Sequence, residues 1–589
     1  MAGYAEDAQR EVRIRNSEFG IRKSNYLPEN FVRSSLVLAH LASCILYLCD
    51  RAATLEWPLQ MAKNSKKKNS KSDAVSFPLR VACVDMGSNA IRFLAAEFRD
   101  ENEYTTLAAE RRPVRLGHSV FLSGALDPRA MDEAVAALSD FNNQMHTLEI
   151  EHSRAVATSA VRESKNKKEF VKRIRDDAGL ELEVISGSEE ARLVHVAVAT
   201  RIPLGSRKWL LVDLGGGSVE VSLVDEHGAY WSESHTMGSV RLLEELTEAG
   251  ADPGRFRRLL AEYISVLKVP AMANGQQVAG YIATGGNIDA LARLAGFEDE
   301  IGVTRLPIDT LRSLIEQLAR LSYRQRVDEL RLRDDRADVI LPAAMVYERL
   351  GELCQTSEIL VPRVGIKEGV LYDLVNRLTK RSDHEDRQER EILNSAAVLG
   401  RKYLFDEKHA RHVASLATSL FDQLKFLHGL SGLDRTILLV AAMLSNIGQF
   451  VSFKGHHKHS LYLISQSELP SFGQTEMSMV ANVARYHRKA HPQPHHYAFT
   501  ALAPEEQERV AKLASILRIA DSLDSERKQR VTGVNVMVGE DEVSLWLDGT
   551  AGLLLEGWTL QKKANLFAEV FGRKVALRFL GEEQLIDTQ

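Results

Sequence analysis

A chain of 589 residues is too long for one hydrophobic core and predicts three or four domains. With 44% apolar and 26% charged residues it reads as water-soluble and globular, which excludes a chain that is disordered or membrane-embedded throughout. A net charge of −5 excludes a globally basic nucleic-acid binder, so a polyanion would have to meet a local basic patch.

The first segment stands apart. Leu36–Leu48 is apolar but too short to span a bilayer, and Met61 opens a Lys/Asn/Ser-rich stretch to Ser72. Residues 1–78 are therefore read as a leader from an over-extended translation start followed by a disordered Lys-rich tail, with no membrane anchor. Cys44, Cys49, Cys83 and Cys354 lack metal-knuckle spacing and suggest a reducing compartment, so a cytoplasmic location is expected.

Periodic structure begins at Leu79. Val81–Val84 predicts a strand ending in Asp85, followed by a Gly-Ser-Asn turn and a return strand Phe93–Phe98. Asp127-Pro128 predicts a helix start, with the helix running to about His146. Arg154–Ala160 reads as a strand, 166–178 as a helix and Glu183–Ile185 as a strand. Ser186-Gly-Ser-Glu189 reads as a capping box opening a helix through Val198.

The opening then repeats. Trp209–Val212 predicts a strand ending in Asp213, a Gly-Gly-Gly-Ser turn follows, and Glu220–Val224 returns. Tyr281–Thr284 and Ser357–Val361 are further strands, with helices predicted over 287–295 and 365–378. The expected division is 79–200 and 201–380 as duplicated α/β subdomains, 381–528 as a helical domain and 529–589 as a small α+β end domain. The charged stretch Lys380–Glu391 reads as a linker, and 560–571 as one helix.

Two turns carry the chemistry. In the first, Gly87 lets backbone approach an anion, Ser88 and Asn89 add donors, and Arg92 offers a planar fork for phosphate oxygens. Asp85, at the strand tip, is placed to hold Mg²⁺ through water. In the second, Gly215, Gly216, Gly217 and Ser218 lie between Asp213 and Glu220; three glycines between buried strands weaken a sheet unless a phosphate must reach their N–H groups. Each turn alone also reads as a plain hairpin. Together they resemble the phosphate clamp of the fold shared by actin, hexokinase and the heat-shock chaperone ATPases.

The series Asp85–Arg92, Ala157–Arg162, Ile185–Arg192, Asp213–Glu220 and Met237-Gly238 resembles the exopolyphosphatase/guanosine pentaphosphate phosphohydrolase (Ppx/GppA) family over about residues 80–375. The resemblance implies a duplicated actin-like (ribonuclease H-like) α/β fold. It assigns Glu190 as general base, Asp213 and Glu220 beside Mg²⁺, and Asn89, Arg92, Arg162 and the loop amides as phosphate holders. A position in the first helical turn suits a Glu190 carboxylate, although taken alone Glu189 and Glu190 read as ordinary N-terminal helix acids. Lys367, where relatives commonly carry Arg, keeps the charge and loses the fork.

In the helical part, His412, Ser445-Asn446, His456–His459, Tyr486–Lys489 and Asp521 resemble the HD phosphohydrolase domain. Ser445-Asn446 replaces its His-Asp pair with poor metal ligands, so this domain is expected to be catalytically dead. Arg485, His487, Arg488 and Lys489 are expected to guide a phosphate chain, or else to form a solvated basic helix face. The expected function is Mg²⁺-dependent exopolyphosphatase activity, releasing orthophosphate from inorganic polyphosphate. The alternatives are hydrolysis of guanosine pentaphosphate (pppGpp) at its 5′ end and a non-catalytic nucleotide sensor. The resemblance further implies a homodimer.

Overall fold

The computed structural model describes residues 77–247, 253–269, 278–297, 302–379, 381–469, 472–549 and 552–579, and the reading of the leader lies outside them except for its last two residues. In the first sheet β1 (Leu79–Met86), β2 (Ile91–Phe98) and β3 (Tyr104–Arg112) form an antiparallel meander. On its other side β1 pairs in parallel with β4 (His152–Ala157), which pairs with β5 (Leu182–Val184), giving the order β3-β2-β1-β4-β5. Nearly continuous burial of LRVACVDM suits β1 to the centre, and the half-exposed YTTLAAERR suits β3 to the edge.

The second sheet repeats the plan. β6 (Trp209–Leu214), β7 (Val219–Asp225) and β8 (Gly228–His235) form the meander, and β9 (Tyr281–Thr284) and β11 (Glu358–Val361) extend it in parallel. β10 (Thr304–Pro307) adds an antiparallel edge, and the order is β10-β11-β9-β6-β7-β8. The duplication seen in the two turns is thus a duplication of strand order.

Two helices fix the geometry between the sheets. Gly187–Ala199 and Ile366–Thr379 approach so closely that a Cβ on Gly369 would overlap the Leu193 carbonyl. Leu193, Val370 and Leu371 share a core with Leu79 and Val81, which ties the Gly187–Ala199 helix to the first sheet. Asp127 caps its helix as expected, accepting from the N–H groups of Arg129 and Ala130 at 3.0 and 3.2 Å.

Several expected elements are corrected. The strand expected over 154–160 ends at Ala157, and Ser159–Glu163 turns helical, which aims Arg162 back toward the sheet's end. The 166–178 helix widens into a π turn at Ile174–Ala178 and stops at Gly179, whose φ of 68° only glycine adopts readily. The supposed linker belongs to one helix, Arg381–Lys402, because the apolar positions that reveal its period, Ile392, Ala396 and Ala397, come only in its second half. The helix expected over 560–571 is two, Leu554–Lys563 and Asn565–Phe571.

Beyond Lys402 the chain is helical to Ser522 and ends in β12 (Val531–Val538), β13 (Glu542–Gly549) and β14 (Lys574–Phe579). Val531, Val534, Leu545 and Phe567 bury in the same cluster as the helices, so the helical part and the end sheet share one core. No helix among the described residues is long and apolar enough to cross a membrane.

Candidate active site

The two glycine turns are built alike. Asp85 pairs in register with Arg92 across the first hairpin, and Asp213 with Glu220 across the second. Gly87 N–H closes the first turn on the Ala90 carbonyl at 3.1 Å, and Gly215 N–H closes the second on Ser218 at 3.0 Å. The turns face each other: a Cβ on Gly216 would lie 3.0 Å from Ser88 Cβ and 3.6 Å from the Asn89 nitrogen. Behind the second turn, a Cβ on Gly238 would overlap the backbone of Gly216 and Gly217, so this packing requires glycine. Ser88 Oγ meets Ser159 Oγ at 3.0 Å, and Arg92 donates to Asp85 Oδ2 at 2.8 Å.

Glu190 is buried beside these turns, 4% exposed, and Arg162 donates to its carboxylate and to the Ile185 carbonyl. Burial outweighs the Arg162 charge and, with the Asp213 and Asp85 carboxylates, pushes the Glu190 pKa up to about 7. Burial and the charges of Glu190 and Asp213 likewise raise Glu220. Asp213 is raised by burial although Thr284 Oγ1 donates to its Oδ1 at 2.6 Å. Four carboxylates thus share one low-dielectric neighbourhood. One buried oxygen each of Asp85 and Glu220 has no hydrogen-bond partner.

Glu189 differs from its neighbour. Ser186 Oγ caps the helix by accepting the Glu189 N–H at 3.2 Å, while the Glu189 carboxylate receives Arg192 at 2.8 Å and Arg154 at 3.3 Å. Both arginines also reach Asp373, at 2.9 and 3.0 Å. This buried network replaces the simple capping acid expected from the sequence and locks the Glu190 helix to β4 and to the Ile366–Thr379 helix. Lys367 pairs with Glu368 Oε1 at 2.6 Å, and the other Glu368 oxygen accepts the Gly365 N–H at 2.9 Å.

Sequence reasoning missed a basic group contributed by the Asp334–Ala337 turn. Asp335 receives Asn89 Nδ2, through its carbonyl at 2.9 Å and its carboxylate at 3.2 Å, and also Arg111. Arg336 is 6% exposed, donates to Asn287 Oδ1 and leaves its Nε without a partner. Burial, with the Arg92 and Arg111 charges, lowers its pKa to about 10, so it remains a cation in want of an anion. Only the burial of Arg336 would have signalled it, and the run Arg-Leu-Arg-Asp-Asp-Arg reads as solvated loop.

In the helical part the fold corrects the expected constellation. His409, not His412, is the buried histidine: its Nδ1 meets Asp524 Oδ2 at 2.8 Å and its Nε2 lies 3.5 Å from Asp521 Oδ1. Asn446 Nδ2 approaches the same Nε2 at 3.3 Å, and Lys563 pairs with Asp521. Burial opposes charge on His409, but the two carboxylates together push its pKa up to about 9. Burial takes His487 down to about 3, so a neutral, 1% exposed His487 does not belong to a guiding surface. Arg485 lies over the Tyr486 ring, Arg488 is 3.4 Å from the His456 ring, and Lys489 is exposed.

The chain is similar to known proteins along most of its length. Residues 96–378 match the Ppx/GppA phosphatase family model, and 374–566 match Ppx/GppA phosphatase, domain III. A guanosine-5′-triphosphate,3′-diphosphate pyrophosphatase of Vibrio cholerae is 27% identical over 487 residues, covering 81% of this chain and 93% of that one. Its counterpart in Vibrio vulnificus is 26% identical over 485 residues, covering 81% and 94%. Among solved structures, an exopolyphosphatase from Cytophaga hutchinsonii is 28% identical and covers 51% of this chain and 98% of that one, with a TM-score of 0.48. An Aquifex aeolicus Ppx/GppA family member is 25% identical, with coverage of 51% and 98% and a TM-score of 0.45. With adjoining matches to two models of one family running from residue 96 to 566, the chain belongs to the Ppx/GppA phosphatase family.

Proposed function

We propose that the chain is a phosphoanhydride hydrolase of the actin-like ATPase class that removes the terminal phosphate of inorganic polyphosphate. The observation that carries this reading is Glu190, a buried carboxylate with a pKa near neutrality beside two opposed glycine turns. The terminal phosphoryl group lies between the turns, held by their amides, Ser88, Arg92 and Arg162. Arg336, buried and under-neutralised, takes a further phosphate oxygen. Glu190 accepts a proton from water as the water oxygen bonds to phosphorus; the bridging P–O bond breaks, and its electron pair leaves on the remaining chain.

Mg²⁺ fits the donor set. No three His, Cys, Asp or Glu side chains among the described residues converge into a full metal-ligand set. That is compatible with Mg²⁺, which keeps several waters and takes one or two carboxylates. Asp85 and Glu220, each with a partnerless oxygen, would supply the direct carboxylate contacts, with Asp213 reaching the ion through water. When bound, Mg²⁺ neutralises charge on the phosphoryl oxygens.

The names of the Vibrio relatives favour a second reading, in which the same site takes pppGpp. Long polyphosphate, tripolyphosphate, pppGpp and ATP, assayed for phosphate release with and without Mg²⁺, separate the readings. A higher kcat/KM on long polyphosphate than on pppGpp is the expected outcome. The reverse order replaces the first reading by the second, and no release from any of the four refutes both.

A further inference from the structure

The helical part places one acid against the catalytic helix. Glu468 follows the His456–Ser465 helix and precedes Leu469, which is 2% exposed and anchored in the helical core. Glu468 Oε2 accepts the N–H of Gly187, the first residue of the Glu190 helix, at 3.0 Å. It lines a cavity of about 590 Å³ together with Arg162, Ser188 and Ser218, and its charge acts on the Arg162 guanidinium. The contact is close to the carboxylate cluster, because a Cβ on Gly187 would lie 3.6 Å from Glu220 Oε1.

The cavity therefore runs from Ser218, at the end of the second turn, past Arg162 to a wall supplied by the helical part, and the acid on that wall already occupies the Gly187 N–H and lies close enough for its charge to act on Arg162. A helix-terminal N–H and an arginine are anion donors. A carboxylate on that N–H and near that arginine disfavours a second anion in the same place. A substrate short enough to end between the turns never meets this charge, whereas a chain that continues into the cavity has to displace it. Glu468 is solvent-exposed, so it can swing away without unburying a core.

We propose that Glu468 is a specificity-determining acid: it occupies the chain-continuing side of the site and sets how strongly long phosphate chains bind relative to short ones. This rests on the reading of the substrate as a phosphate chain. The test compares the full chain with E468Q, which keeps an acceptor for the Gly187 N–H and loses the charge, and with E468A, which loses both. Isothermal titration with long-chain polyphosphate and with tripolyphosphate, in Mg²⁺, is paired with steady-state phosphate release and thermal melting. Removing one like charge a few ångströms from the chain should tighten long-chain binding about 3- to 10-fold in both variants, with a change of less than about 2-fold for tripolyphosphate. KM should follow Kd, with kcat little changed. Equal Kd values for wild type and E468Q, equal gains on both polymers, or no binding of either polymer to any variant would overturn the proposal. So would a fall in kcat confined to E468A, which would make Glu468 a helix cap that positions Glu190. Should the wild type release no phosphate, the hydrolase reading fails, and the binding comparison still decides the role of Glu468.

Discussion

Two buried polar clusters, one around Glu190 and one around His409, contain similar groups and reach opposite electrostatic states. Around Glu190, the carboxylates of Glu190, Glu220, Asp213 and Asp85 outnumber the cations Arg92 and Arg162, and two of their oxygens lack partners. Around His409, Asp521 and Asp524 are matched by His409 and Lys563. The carboxylate pKa is raised in the first cluster, at Glu190, and lowered in the second, at Asp521, where Lys563 and His409 outweigh burial. Residue type alone does not make a reactive site; an unbalanced charge does, because it waits for a ligand, a proton or a cation. Lys563, at the end of the Leu554–Lys563 helix, supplies the positive charge that a metal would otherwise bring beside Asp521.

Glu190→Gln breaks the first cluster's chemistry and has the largest expected effect. Loss of a general base costs on the order of 10²–10⁴-fold in kcat, with KM little changed. In the wild type the rate should rise with pH through about 7, as Glu190 ionises, and this limb should vanish in the variant. Stability runs the other way: a carboxyl with a raised folded pKa binds more protons folded than unfolded, so it loses stability as pH rises from the ordinary carboxylate range toward 7. Glu190→Gln should therefore gain in Tm relative to wild type at pH 8, and the gain should shrink at pH 4. A near-normal kcat in a well-folded variant would leave a phosphate-binding fold without this mechanism.

Glu189→Gln separates position from chemistry. Halving a buried network leaves Arg154 and Arg192 short of charge and should cost on the order of 3 kcal/mol, read as a lower urea midpoint. The Glu189 pKa is lowered because Arg192 and Arg154 outweigh burial, so its contribution is present above the ordinary carboxylate range and is lost as pH falls below it. At temperatures where the variant is folded, kcat should fall far less than in Glu190→Gln. An equal fall would make the two acids one catalytic unit.

Lys563→Met unbalances the second cluster. It leaves Asp521 buried with His409 as its remaining cationic partner and should cost about 2 kcal/mol. If Lys563 stands in for a metal, only the variant should gain stability from millimolar Mn²⁺ in thermal melts. Tight stoichiometric Mn²⁺ binding by the wild type would contradict the balanced-charge account.

The smallest effect is expected from neutralising Arg485, Arg488 and Lys489 together. Lys489 is exposed and the two arginines half-buried, so their charges are largely screened, and KM for long polyphosphate should rise about 2- to 3-fold at low salt and converge with wild type at high salt. A salt-independent rise would point to lost packing of Arg488 on His456.

What could be read from the chain was local. Two apolar strands ending in Asp, each followed by a glycine turn and a return strand, specify two hairpins, since a hairpin needs only neighbouring residues and a turn that accepts their twist. Asp127-Pro128 likewise specifies a helix start through its own side chain. Tertiary packing decided which of two adjacent acids meets Arg162 and which meets Arg192: Glu189 and Glu190 lie about 100° apart around one helix, and no local signal chooses between those faces. It selected His409 over His412, one turn apart on the same helix. It also brought Asp335, Arg336 and Glu468 to the site from segments with no site motif of their own. Backbone hydrogen bonds between near neighbours are specified by short windows of sequence. The partner of a buried charge is specified by whichever distant segment the whole core presses against it.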